Sequence, residues 1–132
     1  MQMLVNLDVP DLAAAEALYG AAFGWTAGRR FGAGALELLG APVPIYLLAE
    51  PTGSMGAAAS PRDYARHWTP LHLDIVVDQL EPALQRAVEA GLRQETPIRE
   101  KRWGRIVGLA DPWGHGWCLL QFVGRGYDEI AT

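Results

Sequence analysis

The chain writes one short pattern twice. Leu4-Val5-Asn6-Leu7-Asp8-Val9-Pro10-Asp11-Leu12 near the start is echoed 68 positions on, from Leu4 to His72, by His72-Leu73-Asp74-Ile75-Val76-Val77-Asp78-Gln79-Leu80. Each copy is a strand-like run closed by a turn or cap signal and followed by helix-spaced apolar residues. A repeat of this size predicts two modules facing each other, an arrangement that can enclose a pocket. The difference between the copies, above all Leu4 against His72, marks where chemistry has been kept or lost.

Within the first module, Met3 to Val9 reads as a strand. Asp11 is placed to cap a helix whose body runs from Leu12 to Ala22, with Leu12, Ala15, Leu18, Tyr19 and Ala22 on one face, and Gly24 ends it. Strands are expected over Trp25 to Phe31, Ala35 to Leu39 and Val43 to Ala49. Residues 52–70 have the Gly, Ala, Ser and Pro content of a linker at first, then carry Tyr64, Arg66, His67 and Trp68. In the second module, Asp78 and Glu81 fit a capping box ahead of a helix to Ala90, stopped by Gly91. Three strands should follow, over Arg93 to Ile98, Arg105 to Ala110 and Trp117 to Phe122. Each half therefore reads strand, helix, strand, strand, strand: an α+β chain of two βαβββ modules, residues 1–51 and 71–123, within a single domain spanning 1–132.

Composition excludes several functions. With 132 residues, half of them apolar, the chain can bury a core without a metal or disulfide staple. Its one cysteine, Cys118, permits no internal disulfide. A net charge of -4 and scattered arginines argue against a nucleic-acid partner. No apolar run approaches the ~20 residues of a membrane span, and the first residues lack the pattern of a secretory signal, so a cytoplasmic protein without a membrane partner is expected.

Val9-Pro10-Asp11-Leu12 with Tyr19 and Phe23-Gly24-Trp25, then His72 to Asp78, Ala90-Gly91 and Asp111-Pro112-Trp113-Gly114-His115, resemble the vicinal oxygen chelate superfamily of glyoxalase, bleomycin-resistance and extradiol-dioxygenase proteins. The resemblance covers about Leu4 to Phe122. It implies a U-shaped mixed sheet around a cleft, and often a homodimer. It also implies four positions where metal-dependent relatives carry ligands, which fall here on Leu4, Tyr46, His72 and Cys118. Leucine cannot coordinate and a neutral phenol is a poor ligand, so the expectation is a site with no metal and no cofactor.

The candidate residues follow from that. His72 should point into the cleft, where an imidazole can hydrogen-bond a ligand, or act as acid or base if the protein is an enzyme; the plainer alternative is a histidine satisfied by backbone. Tyr46 and Cys118 share the inferred facing positions, Tyr46 as a hydrogen-bonding or stacking group and Cys118 as a small thiol beside the floor. Trp103, within a tryptophan-rich interval that includes Trp113 and Trp117, is expected at the mouth as an aromatic wall, whereas alternation turns Trp117 away from the cleft. Glu37 and Glu50 could support a metal only in a shifted register. The function expected from this set is metal-independent binding of a small, flat, largely apolar or aromatic molecule, of the bleomycin-resistance type. The alternative is a lyase, isomerase or dioxygenase of the same superfamily using an unusual metal site or His72 as acid and base.

Overall fold

The computed structural model describes residues 1–132, which form two compact units, Met1–Tyr64 and Ala65–Thr132. Both are α+β and share one topology. In the first, β1 (Val5–Val9) leads into α1 (Leu12–Phe23), and β2 (Thr26–Phe31), β3 (Ala35–Leu39) and β4 (Ile45–Ala49) follow. The sheet order is β1-β4-β3-β2, with β1 parallel to β4 and the other pairs antiparallel. In the second, β5 (Leu73–Val76) and α2 (Leu80–Ala90) precede β6 (Arg93–Gln94), β7 (Arg99–Lys101), β8 (Gly104–Ala110) and β9 (Gly116–Phe122). The order is β5-β9-β8-β6, with β7 also on β8, and again only the first pair is parallel.

Alternation decides what each sheet face carries. Leu7, Val9, Leu36, Leu38, Ile45 and Leu47 are buried on the side of α1, which contributes Ala15, Leu18, Tyr19 and Ala22. A fully buried leucine or valine stabilises the fold by roughly 1.5–3 kcal/mol, which fixes that face inward. Asp11 caps α1 as its spacing predicts, accepting from the Ala14 amide at 3.0 Å, and Gly24 ends the helix in the left-handed region at φ 74°, which a side chain would oppose. The second unit repeats this arrangement: Val107, Leu109, Trp117 and Leu119 are buried, as are Leu80, Ala83 and Ala87 of α2.

Two local expectations are corrected. The capping box at Asp78 and Glu81 does not form: Gln79 is the cap residue and makes no side-chain bond to the helix. The Leu80 amide donates instead to Oε1 of Gln121, 2.9 Å away on β9, and Glu81 is drawn off to Arg105. Arg93 to Ile98 is not one strand. Pro97 has no amide to donate, and the chain bulges there: Glu95 and Thr96 both donate to the Gly108 carbonyl, at 2.8 and 3.4 Å, leaving two short strands on either side. Residues 52–64 fold back on the first unit. Met55 bridges Pro61, Arg62 binds Asp8 at 2.8 Å, and the Tyr64 hydroxyl donates to the Glu50 carbonyl at 2.7 Å. Neither helix is long and apolar enough to cross a membrane.

Candidate metal centre

The face of the second sheet away from α2 gathers the ligating side chains. His72 immediately precedes β5, and Asp74 lies two residues on, so both point to the face opposite Leu73 and Ile75. Parallel pairing sets Asp74 directly across from Cys118 on β9. The result is a cluster of His72, Asp74 and Cys118 whose ligand atoms all lie within 4.8 Å of one another. His72 Nε2 is 3.2 Å from Asp74 Oδ1. That separation is close to the ~3.3 Å between nitrogen and oxygen donors on a tetrahedral ion with bonds of about 2.0–2.1 Å.

The surroundings suit exchange with solvent on one side only. The His72 side chain is 60% exposed and Asp74 35%, while Cys118 is half-buried. Burial, reinforced by the charge of Asp74 and a hydrogen bond to it, pushes the Cys118 thiol up to about 11. The thiol therefore keeps its proton at neutral pH until a cation displaces it. Imidazole, carboxylate and thiol are all competent ligands once deprotonated, so the donor set fits a divalent ion.

The equivalent face of the first unit is built differently. Register pairs Asn6 with Tyr46, as Asp74 pairs with Cys118, so Leu4, Asn6 and Tyr46 stand where His72, Asp74 and Cys118 stand in the second unit. No ligand trio forms there. Glu37, adjacent to Tyr46 on β3, is gripped by Arg29: Nη2 lies 2.6 Å from Oε1, and Nε and the Arg29 amide donate to Oε2 at 2.9 and 3.1 Å. The Tyr46 hydroxyl donates to Glu37 at 3.1 Å and accepts from Arg29 at 3.0 Å. Arg29 holds the Glu37 carboxyl down at about 2. Tyr46 is thus tied into an ion pair.

Of the residues anticipated from the sequence, the structure brings His72 and Cys118 together. Trp103 sits with Phe122 and Tyr127, ring centroids 6.0 and 5.1 Å away, so its ring is partnered by the C-terminal segment. Trp117 faces α2's side as alternation requires, 1% exposed, its Nε1 donating to Asp111 at 3.0 Å. Sequence reasoning missed Asp74. The signal was present: an acid in an apolar strand, two residues from a histidine, shares its face.

Comparison with known proteins agrees with this architecture. A model of the glyoxalase-like domain family matches residues 4–120. The chain belongs to that family. This glyoxalase-like chain is 36% identical over 66 residues to an uncharacterized protein of Mycobacterium bovis, a match covering 48% of the chain and 43% of that protein, so less than half of the relative's length is spanned. A glyoxalase-related enzyme from Fulvimarina pelagi superposes with a TM-score of 0.72 at 21% identity, covering 92% of this chain and 87% of that one. A variant of the fosfomycin resistance protein FosX from Listeria monocytogenes, complexed with Mn(II) and a dihydroxypropylphosphonic acid, gives 0.73 at 17% identity, covering 98% and 94%. At these identities the solved structures establish the fold.

The expectation of a metal-independent binding protein is therefore corrected. It rested on Leu4, Tyr46 and Cys118 replacing the usual ligands. Asp74 supplies a carboxylate beside His72 and Cys118, and the three converge. The same fold carries Mn(II) in the Listeria protein.

Proposed function

We propose that this glyoxalase-like chain is a metal-dependent enzyme whose ion is held by His72, Asp74 and Cys118 and whose substrate is a small molecule presenting an oxygen to that ion. The observation carrying the reading is the convergence of three different donor types within 4.8 Å on one sheet face. Three protein ligands leave positions open for water or substrate, the pattern of a catalytic site, whereas structural zinc sites close with four. A thiolate beside an imidazole favours zinc or a similar borderline ion over manganese. Such an ion, when bound, polarises an attached oxygen and acidifies bound water.

The residues of the chain would prepare that site. His72 offers Nε2 at the solvent-facing side and must be neutral to do so. Asp74 Oδ1, 3.2 Å from His72 Nε2, would join it on the same ion. Cys118 Sγ holds its proton and releases it on metal entry, so binding should strengthen as pH rises. Calorimetric titration of the metal-free protein with zinc chloride tests the reading. One ion per chain is expected, with affinity falling at least tenfold in His72→Ala and in Cys118→Ser. Wild-type protein that takes up no zinc, cobalt or manganese would overturn it.

A further inference from the structure

The same sheet face carries one cation that the fold does not use. The chain has ten arginines. Seven are paired with carboxylates, namely Arg29, Arg30, Arg62, Arg66, Arg93, Arg105 and Arg125. Arg102 donates to the Glu129 carbonyl. Only Arg86, on α2, and Arg99, on β7, have neither an ion pair nor a hydrogen bond.

Register places Arg99. It pairs with Ile106 of β8, which pairs with Leu120 of β9, and cross-strand partners share a face. Leu120 is two residues from Cys118, hence on the same side of the sheet. The neighbouring pair confirms the direction: Glu100 opposes Arg105, and those two meet each other and Glu81 of α2, so they occupy the helix side. Arg99 therefore projects from the face that carries His72, Asp74 and Cys118. Two strand spacings, roughly 10 Å, separate the β7 and β9 backbones, a gap that an extended arginine and a ligand a few bonds long can close. Between cation and cluster lies Ile106, beside the buried Leu120, and the Thr96 side chain covers Gly108 next to Cys118.

We propose that Arg99 receives a carboxylate of the substrate, so that the substrate is a small carboxylic acid with a carbonyl or hydroxyl oxygen at the far end of a short apolar segment. This rests on the metal-site reading above. The oxygen would reach the ion, the methylene segment would pass Ile106, and the carboxylate would meet the unpaired guanidinium in a charge-assisted, two-point contact.

Levulinate, a keto acid with two methylenes between its oxygen groups, and its neutral methyl ester are suitable probes. Calorimetry of each against the zinc-loaded protein should show levulinate binding roughly tenfold tighter or more, the usual worth of a hydrogen-bonded charge pair. Arg99→Gln should erase that preference while the protein still takes up one zinc ion per chain. Arg86→Gln, which removes a distant charge from α2, should preserve it. A preference retained in Arg99→Gln, lost equally in Arg86→Gln, or absent from the wild type would overturn the role of Arg99 while the zinc site stands. Failure to bind zinc at all, read directly in the preceding titration, would remove both.

Discussion

Asp111 should be one of the most sensitive positions in the second unit. It sits in the turn between β8 and β9, and its side chain is completely shielded from solvent. Oδ1 accepts from the Trp113 and His115 amides at 2.9 and 3.1 Å. Oδ2 meets His115 Nδ1 at 2.8 Å and Trp117 Nε1 at 3.0 Å. Truncation to alanine removes the carboxylate oxygen that the indole N–H of Trp117, itself 1% exposed, meets at 3.0 Å. The turn amides and His115 are only half-buried, so water can recover part of their loss. Losing the acceptor of a buried N–H costs about 1–3 kcal/mol, and losing the charged acceptor for the turn adds a comparable amount, giving a total of about 2–6 kcal/mol. That is a large share of a typical domain stability of about 5–15 kcal/mol. Asp111→Asn should cost less, about 2 kcal/mol, because its carbonyl oxygen still serves the two amides while its NH2 group confronts Trp117. Urea denaturation followed by tryptophan fluorescence measures both. A loss under about 1 kcal/mol in Asp111→Ala would show that the network does not hold the turn.

Two further outcomes follow from the geometry. Gln121→Ala removes the acceptor from the Leu80 amide and should destabilise the protein by about 1 kcal/mol, the usual cost of a lost helix cap, as read from a urea midpoint; Asp78→Ala, at the position with the sequence signature of a cap, should change it far less. Glu37, held at about 2 by Arg29, binds fewer protons folded than unfolded in acid, so its contribution is complete above the ordinary carboxylate range and disappears as pH falls toward 2. Melting temperature against pH should therefore drop less steeply on the acid side in Arg29→Gln than in the wild type, and equal slopes would refute the coupling.

Much of this protein was legible in its sequence because the signals are local. The 68-residue echo, the Asp11 cap, the glycine stop at Gly24 and the alternation through β9 each depend on neighbours along the chain. They were enough to give an α+β chain of two βαβββ modules and to turn Trp117 toward the helix; His72 and Cys118 came from the family resemblance. The resemblance to metal-dependent relatives misled at one point: it asked which residues stood at inherited ligand positions, and Asp74 does not stand at one.

What tertiary structure decided are the pairings between distant residues. The β5–β9 register joins Asp74 to Cys118 across 44 positions and makes a ligand cluster from an acid that looked incidental. Gln121 caps a helix that begins 41 residues earlier, displacing the local capping box. Arg29 takes Glu37 and Tyr46 into an ion pair, and Tyr127 claims Trp103. Composition and periodicity specify which face a residue occupies. They leave open which residue it meets there, because strand register is set by summed packing over a whole sheet, and one step of register would exchange every partner and every face.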